Sequence, residues 1–383
     1  MTIDEKAVLV AQLKGSFLLF VQTFFPILTG RDFIVSKPIG RESHIITICR
    51  ALVKCSRLES LHLLINVPPG HGKSLLCSMW VAWTMAQHPD SKFLYISYSH
   101  TLATKHTEMI RRIMVLKVYR DAFGVYLRTD SQAKDFFQTT AGGAVGAFGS
   151  AGAITGMDAG LPGLDRFSGA LLIDDAHKPD EVHSDLVREK VIQNYRETIL
   201  QRVRGINVPI LFMGQRLHEA DLPAYMLAGN DGFQWESVIL KSIDAAGNAL
   251  YPEAFPLETL HLRQEHDPYV FASQHQQDPI PAGGSLYKPD YFVILPEEPK
   301  ILSSFITVDT AETSKHYNDA TVFSFFGIYE IDNFGKPTGT LGLHWLDCIE
   351  IRIEPKDLQN EFMSFWISCN NHKVPPPVIV TGK

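Results

Sequence analysis

The sequence has little of what marks secreted, membrane-spanning or nucleic-acid-coating chains. Its five cysteines, Cys49, Cys55, Cys77, Cys348 and Cys369, include no Cys-x-x-Cys pair and leave one unmatched. That spacing argues against a disulfide framework or a zinc ribbon and reads as free thiols in a reducing compartment. Basic charge is not in excess: 35 Lys and Arg stand against 42 Asp and Glu, a net charge of −7. The balance disfavours a histone-like or arm-type DNA binder, but not a motor that grips nucleic acid through one local basic surface. The most apolar early stretch, residues 17–28, is too short to span a bilayer and contains Gln22 and Pro26. Asp4 and Glu5 stand where a secretory signal needs basic residues. A soluble, cytoplasmic protein with no membrane partner is expected. The chain shows no internal repeat and no low-complexity tract.

What is present is globular. A length of 383 residues with 45% hydrophobic content is enough for two or three domains and a large core. The chain is organised around Leu63–Ser74, which reads as a buried strand, a Pro/Gly loop ending in Gly72, Lys73 and Ser74, and the helix 75–86. This order suits a phosphate-binding loop, because loop N–H groups and the positive helix end cradle phosphates. Lys73 would reach the β- and γ-phosphates and the Ser74 hydroxyl would ligate Mg²⁺, with Pro69, Gly70, His71 and Gly72 forming the cradle. The pattern departs at Val67, where such loops carry glycine. Taken alone, Gly-Lys-Ser before a helix is also what an ordinary turn contains.

A second motif supplies the partner. The wholly apolar run 169–173 reads as a central parallel strand and ends in Asp174 and Asp175. Carboxylates at the C-terminal edge of a parallel sheet sit where open α/β folds bind ligands. Asp174 would hold Mg²⁺ through water, and Asp175 would polarise the attacking water. An acid that ends a strand and caps a helix is the plainer alternative. The presence of both motifs, in this order, favours nucleotide chemistry.

Residues 1–60 read as helices broken by an irregular stretch around Gly30–Gly40. There Phe24, Phe25, Pro26, Arg31, Asp32 and Phe33 are candidates for an adenine pocket or simply for helix packing. Residues 92–99 read as a buried strand, followed by a helix whose outer faces carry Lys105, Arg111, Arg112, Lys117 and Arg120. Those cations suit a solvated face. Arg111 and Arg112 are the two that could also reach a neighbour's nucleotide. The Gly- and Ala-rich stretch 139–169 suits a hairpin or a close-approach loop. A helix is expected over 184–204, with Arg188, Lys190, Arg196, Arg202 and Arg204 on it. A third buried strand, 208–213, leads into the polar cluster 214–222. Its Gln215, Arg216 and His218 either sense a γ-phosphate or form a polar loop capped by Glu219 and Asp221.

The turn-rich stretch 276–300 reads as a linker. Beyond it, strands around 304–309, 318–327 and 342–347 are expected, then a helix over 356–369 and a last strand at 377–380. Asp309, ending the first of these strands, suits a two-metal nuclease of the ribonuclease H type.

Together these pieces resemble the large terminase subunit of tailed bacteriophages, the motor that packages DNA into capsids. The matching residues are Val67–Ser74, the Gly-rich run to Gly156 before Leu172–Lys178, Gln215–Leu222, and the Val308–Asp309 opening of the second domain. The resemblance covers nearly the whole chain and accommodates the non-glycine at Val67. It implies an α/β architecture: a RecA-like P-loop ATPase with a mostly parallel sheet over 1–275, a linker over 276–300, and a ribonuclease H-like nuclease over 301–383. It implies ATP and Mg²⁺ as cofactors, catalytic roles for Lys73, Asp175, Arg216 and Asp309, and metal ligation by Ser74, Asp174 and Asp309. The implied partners are double-stranded DNA, a small terminase subunit, a portal protein and sister copies in a ring. The match weakens at the second nuclease acid, where Thr381 stands in place of Glu. Residues 301–383 span about 80 residues, short of the roughly 150 a full domain commonly needs. An incomplete, inactive nuclease is therefore expected, with Asp319 or Asp347 as a candidate to share one loosely held metal. The competing reading is a catalytically inactive prophage remnant that binds DNA or partner subunits at most.

Overall fold

The structure, a computed structural model, describes residues 3–150, 152, 154, 156–280, 294–295, 297–310, 320–333, 336–351, 353 and 356–376. The chain divides into two compact units, Met1–Tyr287 and Lys288–Lys383.

Unit one opens with three helices, α1 (Ile3–Gly15), α2 (Phe17–Thr29) and α3 (His44–Ser56), with the expected irregular stretch between the last two. Ser16 caps α2 by accepting from the Leu19 N–H, and Gly30 ends it in the left-handed conformation. Phe17, Phe20, Val21 and Phe24 of α2 are buried in the main core. Among the described residues no single helix is long and apolar enough to cross a membrane.

The rest of the unit alternates strand and helix: β1 (His62–Asn66), α4 (Lys73–Met85), β2 (Lys92–Ser97), α5 (His100–Met114), α6 (Lys117–Phe123), β3 (Leu127–Gln132), β4 (Phe136–Thr139) and β5 (Ala144–Gly149). Then follow β6 (Gly169–Asp174), α7 (Asp185–Asn194), β7 (Ile210–Gly214), α8 (Leu222–Leu227), β8 (Glu236–Ile239), α9 (Leu257–His266) and the single turn α10 (Pro268–Val270). The eight strands form one sheet in the order β3-β4-β5-β2-β6-β7-β1-β8. From β5 to β8 every pairing is parallel, whereas β3–β4 and β4–β5 are antiparallel. The expected α/β class with a mostly parallel sheet is thus what the chain adopts, and the Gly-rich stretch contributes the β4–β5 hairpin.

Central parallel strands are covered on both faces, so their sequences are continuously apolar. Alternate residues feed two separate cores. Leu63, Ile65, Phe93, Tyr95, Ala170, Leu172, Leu211 and Met213 pack on one side with α4 and α5. Leu64, Leu94, Ile96, Leu171, Ile173, Ile210 and Phe212 pack on the other. Helix α4 is buried from Leu76 to Met85, which is why it shows no amphipathic pattern.

The helix expected over 184–204 is interrupted. After α7 the chain widens into a π-turn, Tyr195–Ile199, and tightens into a 3-10 turn, Leu200–Arg202. Tyr195 is fully buried and donates to Asp231, while the Asn194 amide reaches the Ser150 carbonyl. Seating these two side chains shifts the helical register. Three of the five basic residues there are engaged within the fold: Arg188 with Asp185 and the Val182 carbonyl, Arg202 and Arg204 with Asp158.

Unit two is a three-stranded antiparallel sheet, β9 (Ile301–Asp309), β10 (Thr321–Asn333) and β11 (Lys336–Ile351), in the order β11-β10-β9, followed by α11 (Leu358–Cys369). Phe323 and Phe325 of β10 pack with Phe365 and Cys369 of α11. The strand expected at 377–380, Thr381 and Asp319 lie outside the described residues.

Candidate functional site

Strand β1 ends at Asn66, and the following loop returns the chain into α4 through two glycines in the left-handed region, Gly70 at φ +80° and Gly72 at φ +75°. An L side chain is disfavoured at both positions. A Cβ on Gly70 would also approach the Phe255 ring to 2.7 Å. Val67 needs no glycine. Its side chain is fully buried, and its N–H donates to the Gly214 carbonyl at 3.1 Å, extending the parallel pairing.

The loop's only imidazole turns inward. His71 stacks on Phe255 at 4.9 Å and meets His44 edge-on at 5.1 Å, with its Nδ1 at 3.0 Å from the Pro69 carbonyl. Burial lowers its pKa to about 4, and that of His44 to about 3. His71 therefore braces the loop from the core side through its ring.

Lys73 is the first residue of α4 and Ser74 the second. The Lys73 Nζ lies 2.8 Å from Asp175 Oδ1, and both side chains are mostly buried. The two residues come from β1–α4 and from the end of β6, strands that are separated in the sheet by β7. Asp175 sits at φ +50°, a left-handed conformation uncommon for a residue with a Cβ. Its N–H donates to the Met213 carbonyl at 3.1 Å and its carbonyl accepts from the Tyr98 N–H at 2.9 Å. These bonds hold the turn in place and swing the carboxylate toward Lys73. Burial raises the Asp175 pKa, against the lowering effect of Lys73. Gly214 leaves room for this carboxylate, since a Cβ there would stand 3.2 Å from Asp175 Oδ1.

Asp174 is 1% exposed and points into the α4–α5 side of the sheet. Its Oδ2 accepts from the Tyr95 hydroxyl at 2.8 Å and lies 3.6 Å from His106 Nε2; its Oδ1 is buried with no hydrogen-bond partner. Asn66 and Gln215, at the same edge, also hold buried amide oxygens without partners, and the Asn66 amide donates to the Gly214 carbonyl at 3.3 Å.

A divalent ion at this edge would find the Ser74 hydroxyl in the first turn of α4 and the unpartnered Asp174 Oδ1. These are hard oxygen donors, few in number, and such a set suits Mg²⁺, which keeps several waters. Among the described residues no group of three or more His, Cys, Asp or Glu side chains converges as a metal cage.

Arg216 is held differently from the catalytic role expected of it. Its Nε donates to Asp221 Oδ1 at 2.9 Å and its Nη2 to the His218 carbonyl at 3.2 Å. Asp221 in turn caps α8 through the Ala224 N–H and accepts from the Leu217 N–H. The pair is a clamp inside the 215–222 loop, and a phosphate contact would require it to open. Of the adenine-pocket candidates, Phe24 is fully buried and stacks on Phe20 at 4.4 Å, while Phe25 and Phe33 meet edge-on at 5.2 Å. Arg112 is exposed, and the Arg111 Nε is buried without a hydrogen-bond partner.

In unit two, Asp309 is exposed at the end of β9. Its row across the sheet is Asp309–Val322–Glu350, whereas Asp347 belongs to the row Ile306–Phe325–Asp347, three residues along. An odd offset puts the two aspartates on opposite faces of the sheet. Asp347 therefore cannot share a metal with Asp309, and the expected pairing is corrected.

With the geometry established, three likenesses can be set beside it. All are phage large terminases. The large terminase of bacteriophage HK97 is 10% identical, over 96% of this chain and 75% of that one, with a TM-score of 0.45. The large terminase of a thermophilic bacteriophage, in complex with ADP, is 12% identical over 85% and 75%, with a TM-score of 0.34. The ATPase domain of the Thermus phage P74-26 large terminase is 14% identical over 59% and 91%, also at 0.34. No family model and no curated protein matches the chain. Likenesses this distant carry no weight for function, which is read from the chain's own residues.

Tyr95, His106 and Asn66 were not singled out by the sequence. Tyr95 lies in a strand that reads as apolar throughout, and His106 on a helix face read only for its cations. The one available signal was parity, because Tyr95 pairs with Leu172 and so shares a face with Asp174.

Proposed function

We propose that unit one is a RecA-like, Mg²⁺-dependent ATPase and that the chain acts as a phage or prophage terminase large subunit. In this reading it drives double-stranded DNA into a capsid in the cytoplasm of a bacterial host. A small terminase subunit, a portal protein and sister copies in a ring are its partners. The domains are an ATPase over 1–275, a linker over 276–300 and a ribonuclease H-like domain over 301–383.

The observation that carries the ATPase reading is the 2.8 Å contact of Lys73 with Asp175 at the C-terminal edge of a parallel sheet. Elements 102 residues apart in sequence bring one mostly buried cation and one mostly buried acid beside a left-handed glycine loop and the start of α4. A phosphate entering the loop would take the lysine and leave the carboxylate facing it, which is the arrangement hydrolysis needs. Lys73 binds and orients the phosphates, loop N–H groups from Gly70 to Ser74 cradle them, and Asp175 orients the attacking water. Ser74, and Asp174 through water, would hold Mg²⁺, which would supply neutralisation of phosphate charge.

The test is steady-state ATP hydrolysis with Mg²⁺, alongside binding of a fluorescent ADP analogue. Lys73→Ala should lower turnover by ~10²-fold or more, the scale of losing a charge-stabilising donor. Asp175→Asn should retain the analogue while losing turnover. A wild type that binds no analogue, or a Lys73→Ala variant that hydrolyses ATP as the wild type does, would refute the reading.

A further inference from the structure

The two oxygens of Asp174 are treated unequally by the fold. Oδ2 is occupied by the Tyr95 hydroxyl at 2.8 Å, with His106 Nε2 at 3.6 Å. Oδ1, equally buried, has nothing. Leaving a carboxylate oxygen unsatisfied inside a protein costs free energy, and a site that served packing alone would carry an apolar residue or a second donor.

The two groups beside Oδ2 are themselves packed together. Tyr95 is fully buried on β2. The His106 ring, on α5, stacks on the Tyr95 ring at 5.3 Å and 27°. Two elements, β2 and α5, thus fix one side of one carboxylate.

We propose that Tyr95 and His106 are positioning residues that lock the Asp174 carboxylate, so that Oδ1 is the oxygen offered to a hydrated divalent cation. The inference rests on the nucleotide reading above. It goes beyond that reading by assigning the metal dependence of the site to two residues that touch neither phosphate nor metal. Outer partners of this kind orient the ligand, and losing one costs metal affinity far more than it costs fold.

Binding of a fluorescent ADP analogue by the full chain, titrated with MgCl₂ and repeated in EDTA, tests it. Tyr95→Phe removes one oxygen and keeps the ring. It should raise the Mg²⁺ concentration for half-maximal enhancement of binding by ~10–100-fold, with binding in EDTA unchanged. His106→Gln should shift the same midpoint in the same direction by a smaller factor, which guards against a folding defect in Tyr95→Phe. An unchanged Mg²⁺ midpoint in both variants would overturn the proposal. So would an equal loss of binding with and without Mg²⁺, which would mark a purely structural role, or a wild type whose binding ignores Mg²⁺. Absence of analogue binding by the wild type would instead overturn the nucleotide reading.

Discussion

His71 illustrates how a residue can sit in a functional loop and answer to the core. Its ring lies between Phe255 and His44, and burial holds both imidazoles neutral, at about 4 for His71 and about 3 for His44. A free imidazole titrates near 6.5, so the unfolded chain takes up these protons first. The stability that the neutral rings confer is complete above pH 6.5 and is lost as pH falls from there toward 4. Each histidine should remove about 1 kcal/mol per pH unit across that window. Urea unfolding at a series of pH values should show this decline, and His71→Phe, which keeps a ring on Phe255, should make it shallower. Stability that stayed flat down to pH 5 would contradict the burial argument. The sequence displayed His71 only as a member of the phosphate loop. The placement of Lys73, Ser74, Asp174 and Asp175 was legible because it follows from chain-local order, a strand end followed by a loop or an acid. The inward turn of His71, the Tyr95 hydroxyl on Asp174 and the Arg216–Asp221 clamp were not, since each depends on a partner brought in by packing.

At the scale of elements, β6 is the strand on which the acid pair rides, and its entry is as constrained as its exit. Gly169 opens it at φ +127°, and a Cβ there would fall 1.9 Å from the Lys92 carbonyl oxygen. That neighbour is backbone in a paired strand and has nowhere to go. Gly169→Ala should destabilise the protein by roughly 3 kcal/mol or more, combining backbone strain with a displaced strand. Gly142, at φ +90° with open space around its Cβ position, provides the control. Its alanine variant should cost only the ~1–2 kcal/mol of a left-handed L-residue. Equal losses in chemical denaturation would rule out the steric account. Strand existence was readable from the apolar runs at β1, β2, β6 and β7. The break of the 184–204 helix at Tyr195 was not, because the π-turn arises from seating Tyr195 and Asn194 against distant residues.

For the molecule as a whole, the two units differ in how completely their described residues furnish chemistry. Unit one gathers Lys73, Ser74, Asp174 and Asp175 at one sheet edge. Unit two places Asp309 and Asp347 on opposite faces of its sheet, without a cluster of three metal-ligating side chains among the described residues. Plasmid DNA incubated with the purified protein and Mg²⁺ or Mn²⁺ should therefore remain intact under conditions where ATP is hydrolysed. Metal-dependent nicking that Asp309→Ala abolished would show that other residues complete the set. The sheet order of unit one has a mechanical implication. Strand β7 alone pairs with both β1 and β6, and it runs directly into the 215–222 loop. Asn66 and Val67 are tied to it at Gly214, and Asp175 at Met213. A pull on that loop would therefore reach the lysine side and the acid side together, as through a lever with two short arms.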